Sequence, residues 1–99
     1  MNPFLQLLMI MNRLNGLRAD FHTELTTDWL LFQSDATIVK HIIAVRRATA
    51  FMMDDAENLR HDIEDDLFRD SMDAIAVLSN LIVFRLENAM KKQIASVLN

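Results

Sequence analysis

The chain has no cysteine and no tyrosine, and its 99 residues include a single glycine and a single proline. Without cysteine there are no disulfides and no thiolate ligands for a structural zinc, which small secreted domains often need. Turns between short strands draw heavily on glycine and proline, so a sheet of many strands is excluded. These shortages predict long helices and a cytoplasmic protein.

Long apolar runs and positive charge are also scarce. The two longest apolar stretches, residues 4–11 and 74–84, fall well short of the ~20 residues that cross a membrane, so no membrane span is predicted. The formal net charge is −4, which makes nucleic-acid binding unlikely on physical grounds because such binding depends on cations neutralising phosphates. A small helical nucleic-acid-binding regulator stays open as one alternative, through two basic pairs: Arg46, Arg47, Lys91 and Lys92.

Hydrophobic residues make up 52% of the chain, and they recur at helical spacing in three segments. The first helix is predicted over residues 3–33. It should begin with Asn2 as the N-cap and Pro3 in the first turn, and continue through Gly16, where it is weakened or kinked. Two shorter helices that meet near Gly16 are the alternative. Its apolar stripe follows three- and four-residue spacing: Phe4, Leu7, Met11, Leu14, Phe21, Leu25 and Phe32.

The second helix is predicted over residues 35–68, after Ser34 as its N-cap. Its stripe, called the seam below, has the four-three spacing of a coiled coil. The seam consists of Ile38, Ile42, Val45, Thr49, Met52, Ala56, Leu59 and Ile63.

A third helix is predicted over residues 71–97, with Asp70 and Ser71 as its capping pair. A single helix over 35–98 is the alternative. Apolar residues surround much of this segment, which predicts a central helix covered on several sides. Two stripes run along it: Met72, Ile75, Leu78, Ile82, Leu86 and Ala89, and beside them Ala74, Val77, Leu81 and Phe84.

Together these segments predict an all-α protein with a single helical domain over residues 1–99. We expect a bundle of three, or alternatively four, long amphipathic helices with coiled-coil-like packing. A chain of this length buries a limited share of its surface, and its apolar content is high for that limit. Dimerisation is therefore expected to complete the bundle.

Acidic residues concentrate between residues 54 and 73, where a solvated helix face is the simplest interpretation. The alternative is a divalent metal site, as in an all-α, magnesium-dependent nucleotide pyrophosphohydrolase. Such a site needs several oxygen ligands that converge, with Asp20, Glu24 and Asp28 supplying a second cluster. The candidate ligands on the acidic face are Asp62, Asp66, Asp70 and Asp73.

No nucleophile elbow or phosphate-binding loop occurs in the sequence, so no enzymatic activity, catalytic residue or cofactor is predicted. The apolar surplus and seven methionines favour a small protein–protein interaction module, acting as a homodimer that regulates, escorts or inhibits a protein partner. The predicted interface residues are Trp29, Phe32, Ile38, Ile42, Val45, Met52, Leu59, Ile63, Leu81 and Phe84.

Overall fold

The computed structural model describes residues 2–24 and 33–98, with side chains over 2–21 and 33–91. Three helices fill these ranges: α1 over Pro3–Glu24, α2 over Asp35–Glu57 and α3 over Asp65–Leu98. No strand occurs in the described residues. The all-α prediction and the bundle of three helices are confirmed.

Side-chain caps begin the first two helices at the predicted residues. The Asn2 Oδ1 accepts a hydrogen bond from the Phe4 N–H at 2.7 Å. Ser34 has an extended backbone, and its Oγ accepts from the Thr37 N–H at 3.2 Å. Each cap satisfies an N–H that lacks a partner within its own helix. The cap predictions at both residues are confirmed.

Helix α1 continues through Gly16 without a break, as predicted, and ends at Glu24 in the described range. Residues 25–32 of the predicted first helix, with Trp29 and Phe32, lie outside the described residues. Gln33, its last predicted residue, is not helical. The buried stripe of α1 also differs from the prediction, because Phe4 is 53% exposed. The buried residues are Leu7, Ile10, Leu14 and Phe21.

The boundary between the second and third helices was predicted wrongly. Helix α2 ends at Glu57 instead of residue 68, and α3 begins at Asp65 instead of residue 71. Successive turns connect them, with hydrogen bonds such as Asp62 N–H to the Leu59 carbonyl at 2.9 Å. Ser71 lies inside α3, where its hydroxyl donates to the Leu67 carbonyl at 2.7 Å. A serine that bonds back to the preceding turn can stay within a helix, so it need not cap one.

Contacts between the helices define an up-down-up bundle. Arg13 pairs with Asp55 at 2.8 Å, and the Phe21 and His41 rings meet edge-on at 6.0 Å between centroids. Residue numbers thus rise along α1 as they fall along α2, so these helices are antiparallel. Helix α3 is antiparallel to α2 for the same reason, since Arg46 reaches Asn80 and Arg60 covers the Phe68 ring.

The core lies where the three helices meet, and α2 supplies much of it through the seam. The largest fully buried side chains are Ile38, Val45, Ile75 and Leu86. Burying one such aliphatic side chain stabilises the fold by about 1.5–3 kcal/mol. Helices α2 and α3 are thereby held together along most of the length of α2.

A polar network crosses this core between α2 and α3. Thr49 Oγ1 lies 3.0 Å from Ser79 Oγ and 2.8 Å from the Val45 carbonyl oxygen. One guanidinium nitrogen of Arg46 donates to Ser79 Oγ at 3.1 Å and to Asn80 Oδ1 at 2.9 Å. Thr49 and Ser79 are both buried, and every buried side-chain nitrogen or oxygen in the described residues has a partner. The network fixes which turns of the two helices face each other.

Candidate interaction surfaces

The seam packs within the chain's own bundle. Ile38, Val45, Met52 and Leu59 are buried, and Ile42 and Ile63 pack against the same core at partial burial. In this structure these residues face the chain's other helices. Their assignment to an interface with a second molecule stays a prediction.

Three of the four residues in the second predicted stripe of α3 are exposed: Val77 by 65%, Leu81 by 45% and Phe84 by 59%. Ala74, the fourth, is partly buried against the core. One side of α3 is therefore open in the described ranges, where the sequence predicts a helix covered on several sides. Among the described residues of the predicted interface, Leu81 and Phe84 are the exposed ones. Large apolar side chains that cluster on a helix surface are typical of contact with another molecule.

The exposed stripe continues in both directions at three- and four-residue spacing. Toward the start of α3 it reaches exposed carboxylates, and toward the end it reaches an exposed ammonium group. We call the whole set the α3 stripe. It consists of Asp66, Asp70, Ala74, Val77, Leu81, Phe84, Asn88 and Lys91.

A groove runs between α1 and the α3 stripe. Its volume is about 340 Å³. Phe21 and Ile82 line its apolar part, and Arg18 and Arg85 line it from opposite helices. The sequence could not reveal this groove, because the groove depends on the distance between two parallel helices, α1 and α3, that are both antiparallel to α2.

A second apolar surface lies on the first two turns of α1. We call it the α1 patch, and it consists of Phe4, Leu5, Leu8 and Met9, all exposed. A helix whose opening turns are apolar around most of their circumference cannot bury all of them against one neighbouring face. The apolar segment over residues 4–11, interrupted by Gln6 alone, carries this signal in the sequence, although the predicted stripe includes only some of its residues.

The acidic face does not assemble into a metal centre in the described residues. Asp62, Asp66, Asp70 and Asp73 are all exposed, and Asp62 lies in the turn before α3. Within the described ranges no three acidic or histidine side chains are grouped so as to hold a metal ion. Asp20 is exposed on α1, whereas the Glu24 side chain and Asp28 lie outside the described residues.

The two basic pairs that could bind a polyanion lie on different helices, α2 and α3. Arg46 takes part in the polar network with Ser79 and Asn80 and thereby supports the packing of α2 on α3. Arg47 and Lys91 are exposed on different helices, and the side chain of Lys92 lies outside the described residues.

Comparison of the chain with protein-family models, curated proteins and solved structures found no match. None of the described helices has an apolar stretch long enough to span a lipid bilayer.

Proposed function

We propose that this protein is a small helical protein–protein interaction module that acts as a homodimer. The observation that carries the proposal is the exposed apolar centre of the α3 stripe: Val77, Leu81 and Phe84. Val77 and Leu81 also line the groove between α1 and α3. Covering them with a second molecule would remove apolar surface from water, which stabilises association by about 25 cal/mol per Å² before the costs of binding.

The α1 patch is a separate surface and is assigned, in this proposal, to a protein partner that the dimer regulates, escorts or inhibits. It has no charged member, whereas the α3 stripe carries charges of both signs. An apolar segment of another protein is the chemistry that such a patch accepts, and Met9 adds an adaptable side chain. A cytoplasmic location is part of the same proposal, since the cysteine-free chain needs no oxidising compartment.

Thermal unfolding at two protein concentrations tests the homodimer. A hundred-fold rise in concentration stabilises a dimer by about 2.7 kcal/mol through mass action. Two chains of 99 residues have an unfolding entropy of about 0.4 kcal/mol per kelvin, so the Tm should rise by about 6 °C. A Tm that is independent of concentration would contradict the proposal.

The variant Leu5→Asp tests whether the α1 patch or the α3 stripe joins the two copies. Leu5 is exposed on α1, so an aspartate there should leave the helical content and the concentration dependence of the Tm unchanged. If this variant were monomeric, the α1 patch would be the surface that joins the copies, and the assignment of the two surfaces would be reversed.

A further inference from the structure

The α3 stripe changes in charge and in side-chain size along its length. Its first end carries the exposed carboxylates of Asp66 and Asp70, and its last end carries the exposed ammonium group of Lys91. Between them, the small side chain of Ala74 precedes the centre and the large side chain of Phe84 follows it. Two copies that run in the same direction would place like charges and side chains of like size together. Two copies that run in opposite directions would place opposite charges together and large side chains against small ones.

We infer that a second copy of this chain binds along the α3 stripe, with the two α3 helices antiparallel and centred near residue 79. The inference rests on the proposed homodimer and specifies its geometry. A two-fold axis between the helices makes each contact occur twice, because the same surface is used by both copies. The arrangement is a two-helix antiparallel pair with four-three spacing.

The register follows from the stripe's own spacing. With the centre near residue 79, Val77 lies opposite Leu81 of the partner subunit, and Ala74 lies opposite Phe84 of the partner subunit. The large ring thus meets the smallest side chain of the stripe, so the helices can approach to about 8–10 Å between their axes. A parallel pair would instead place the two Phe84 rings together and leave a gap at Ala74.

Charges select the same register. The antiparallel pair places Asp66 beside Lys91 of the partner subunit and Asp70 opposite Asn88 of the partner subunit, whose amide can donate to the carboxylate. In a parallel pair each aspartate would face its own copy, and like charges at that distance destabilise association. The charge pattern therefore identifies a second copy, in a defined direction, as the molecule that covers the stripe.

One contact in this register is unfavourable, and it supplies a directional test. Asp73 and Glu87 are both exposed, and they lie on the flank where Glu87 of the partner subunit approaches Asp73. Glu87→Lys should therefore tighten the antiparallel dimer, by about two- to ten-fold in Kd for a pair of partly exposed charges used twice. An unchanged or weaker dimer in the Glu87→Lys variant would contradict this register.

Spin-label distances test the geometry directly, because the chain has no cysteine and one labelled cysteine gives a single distance in a dimer. Arg69→Cys is the suitable variant, since Arg69 is exposed on α3 outside the α3 stripe. The antiparallel register separates the two labels by 20 residues along the axis, or about 30 Å. A parallel pair would hold them within about 20 Å. The same sample is measured by sedimentation to establish that it is dimeric.

The outcomes separate this inference from the proposed function. A dimer with a label distance of about 30 Å, together with a tighter Glu87→Lys dimer, supports the antiparallel register. A dimer with a distance under about 20 Å overturns the register and leaves the homodimer standing. A protein that stays monomeric at concentrations well above those used for thermal unfolding overturns both the homodimer and its antiparallel register.

Discussion

The polar network between α2 and α3 leads to a quantitative prediction about pairwise coupling. Thr49→Val removes one buried hydroxyl at nearly constant volume, and Ser79→Ala removes the other. Both variants lose the 3.0 Å contact between Thr49 Oγ1 and Ser79 Oγ. Thr49→Val also loses the 2.8 Å bond to the Val45 carbonyl, and Ser79→Ala also loses the 3.1 Å bond from Arg46. Because a net hydrogen bond contributes about 0.5–1.5 kcal/mol, we expect each variant to lower the free energy of unfolding by about 1–2 kcal/mol.

The double variant should cost less than the sum of the single ones, since both single changes remove the same buried contact. A coupling of about 0.5–1 kcal/mol is expected from a double-mutant cycle. The assay is urea unfolding followed by far-UV circular dichroism at one fixed protein concentration. Ser71→Ala is the matched control, because Ser71 is also buried in α3 but donates within its own helix. Additive costs, within about 0.3 kcal/mol, would refute the network as a coupled unit.

Three further predictions concern single positions. Gly16→Ala should raise the free energy of unfolding by about 0.5–1 kcal/mol, because an added Cβ meets no atom within 4 Å inside α1; a lower value in urea titration would contradict this. Asn2→Ala should lower it by about 1 kcal/mol through loss of the cap on α1, measured in the same way, whereas an unchanged value would mean that the cap contributes nothing. Ile42→Asp should abolish the folded state, because Ile42 packs against the core and the carboxylate of the new aspartate would have no partner there. A variant that is fully helical by circular dichroism would show that the seam does not face the core.

Local features of the fold could be predicted because their physics is local. Asn2 and Ser34 cap helices through bonds that span two or three residues, and the seam on α2 keeps one spacing throughout. Both signals depend on near neighbours in the sequence. The buried side of α2 was therefore identified correctly from spacing alone.

The end of α2 could not be predicted in this way. The seam spacing continues through Leu59 and Ile63, which lie in the turn after Glu57 and still contact the core. Apolar spacing reports which residues face the core and does not report whether the backbone between them is helical. Ser71 misled for a related reason, since its hydroxyl bonds equally well to a preceding carbonyl as to an N-terminal N–H.

The candidate surfaces depended on tertiary packing and were predicted only in part. Leu81 and Phe84 belonged to a stripe that is visible in the sequence, but its exposure follows from where α1 and α2 lie. The seam packs against the chain's own helices in the described bundle, and periodicity alone does not distinguish a helix of the same chain from a helix of another copy. The change from acidic to basic residues along the α3 stripe indicates the direction of a second copy only because the stripe is exposed.

The most direct test of the central claim, that the α3 stripe joins two copies, is sedimentation equilibrium of two variants with matched exposure. Leu81 and Ile43 are each 45% exposed, the first on the stripe and the second on the outer face of α2. Leu81→Asp should be a folded monomer, since it places a charge at the centre of the interface, and Ile43→Asp should remain a dimer like the unmodified protein. A dimeric Leu81→Asp protein, or a monomeric Ile43→Asp protein, would contradict the claim.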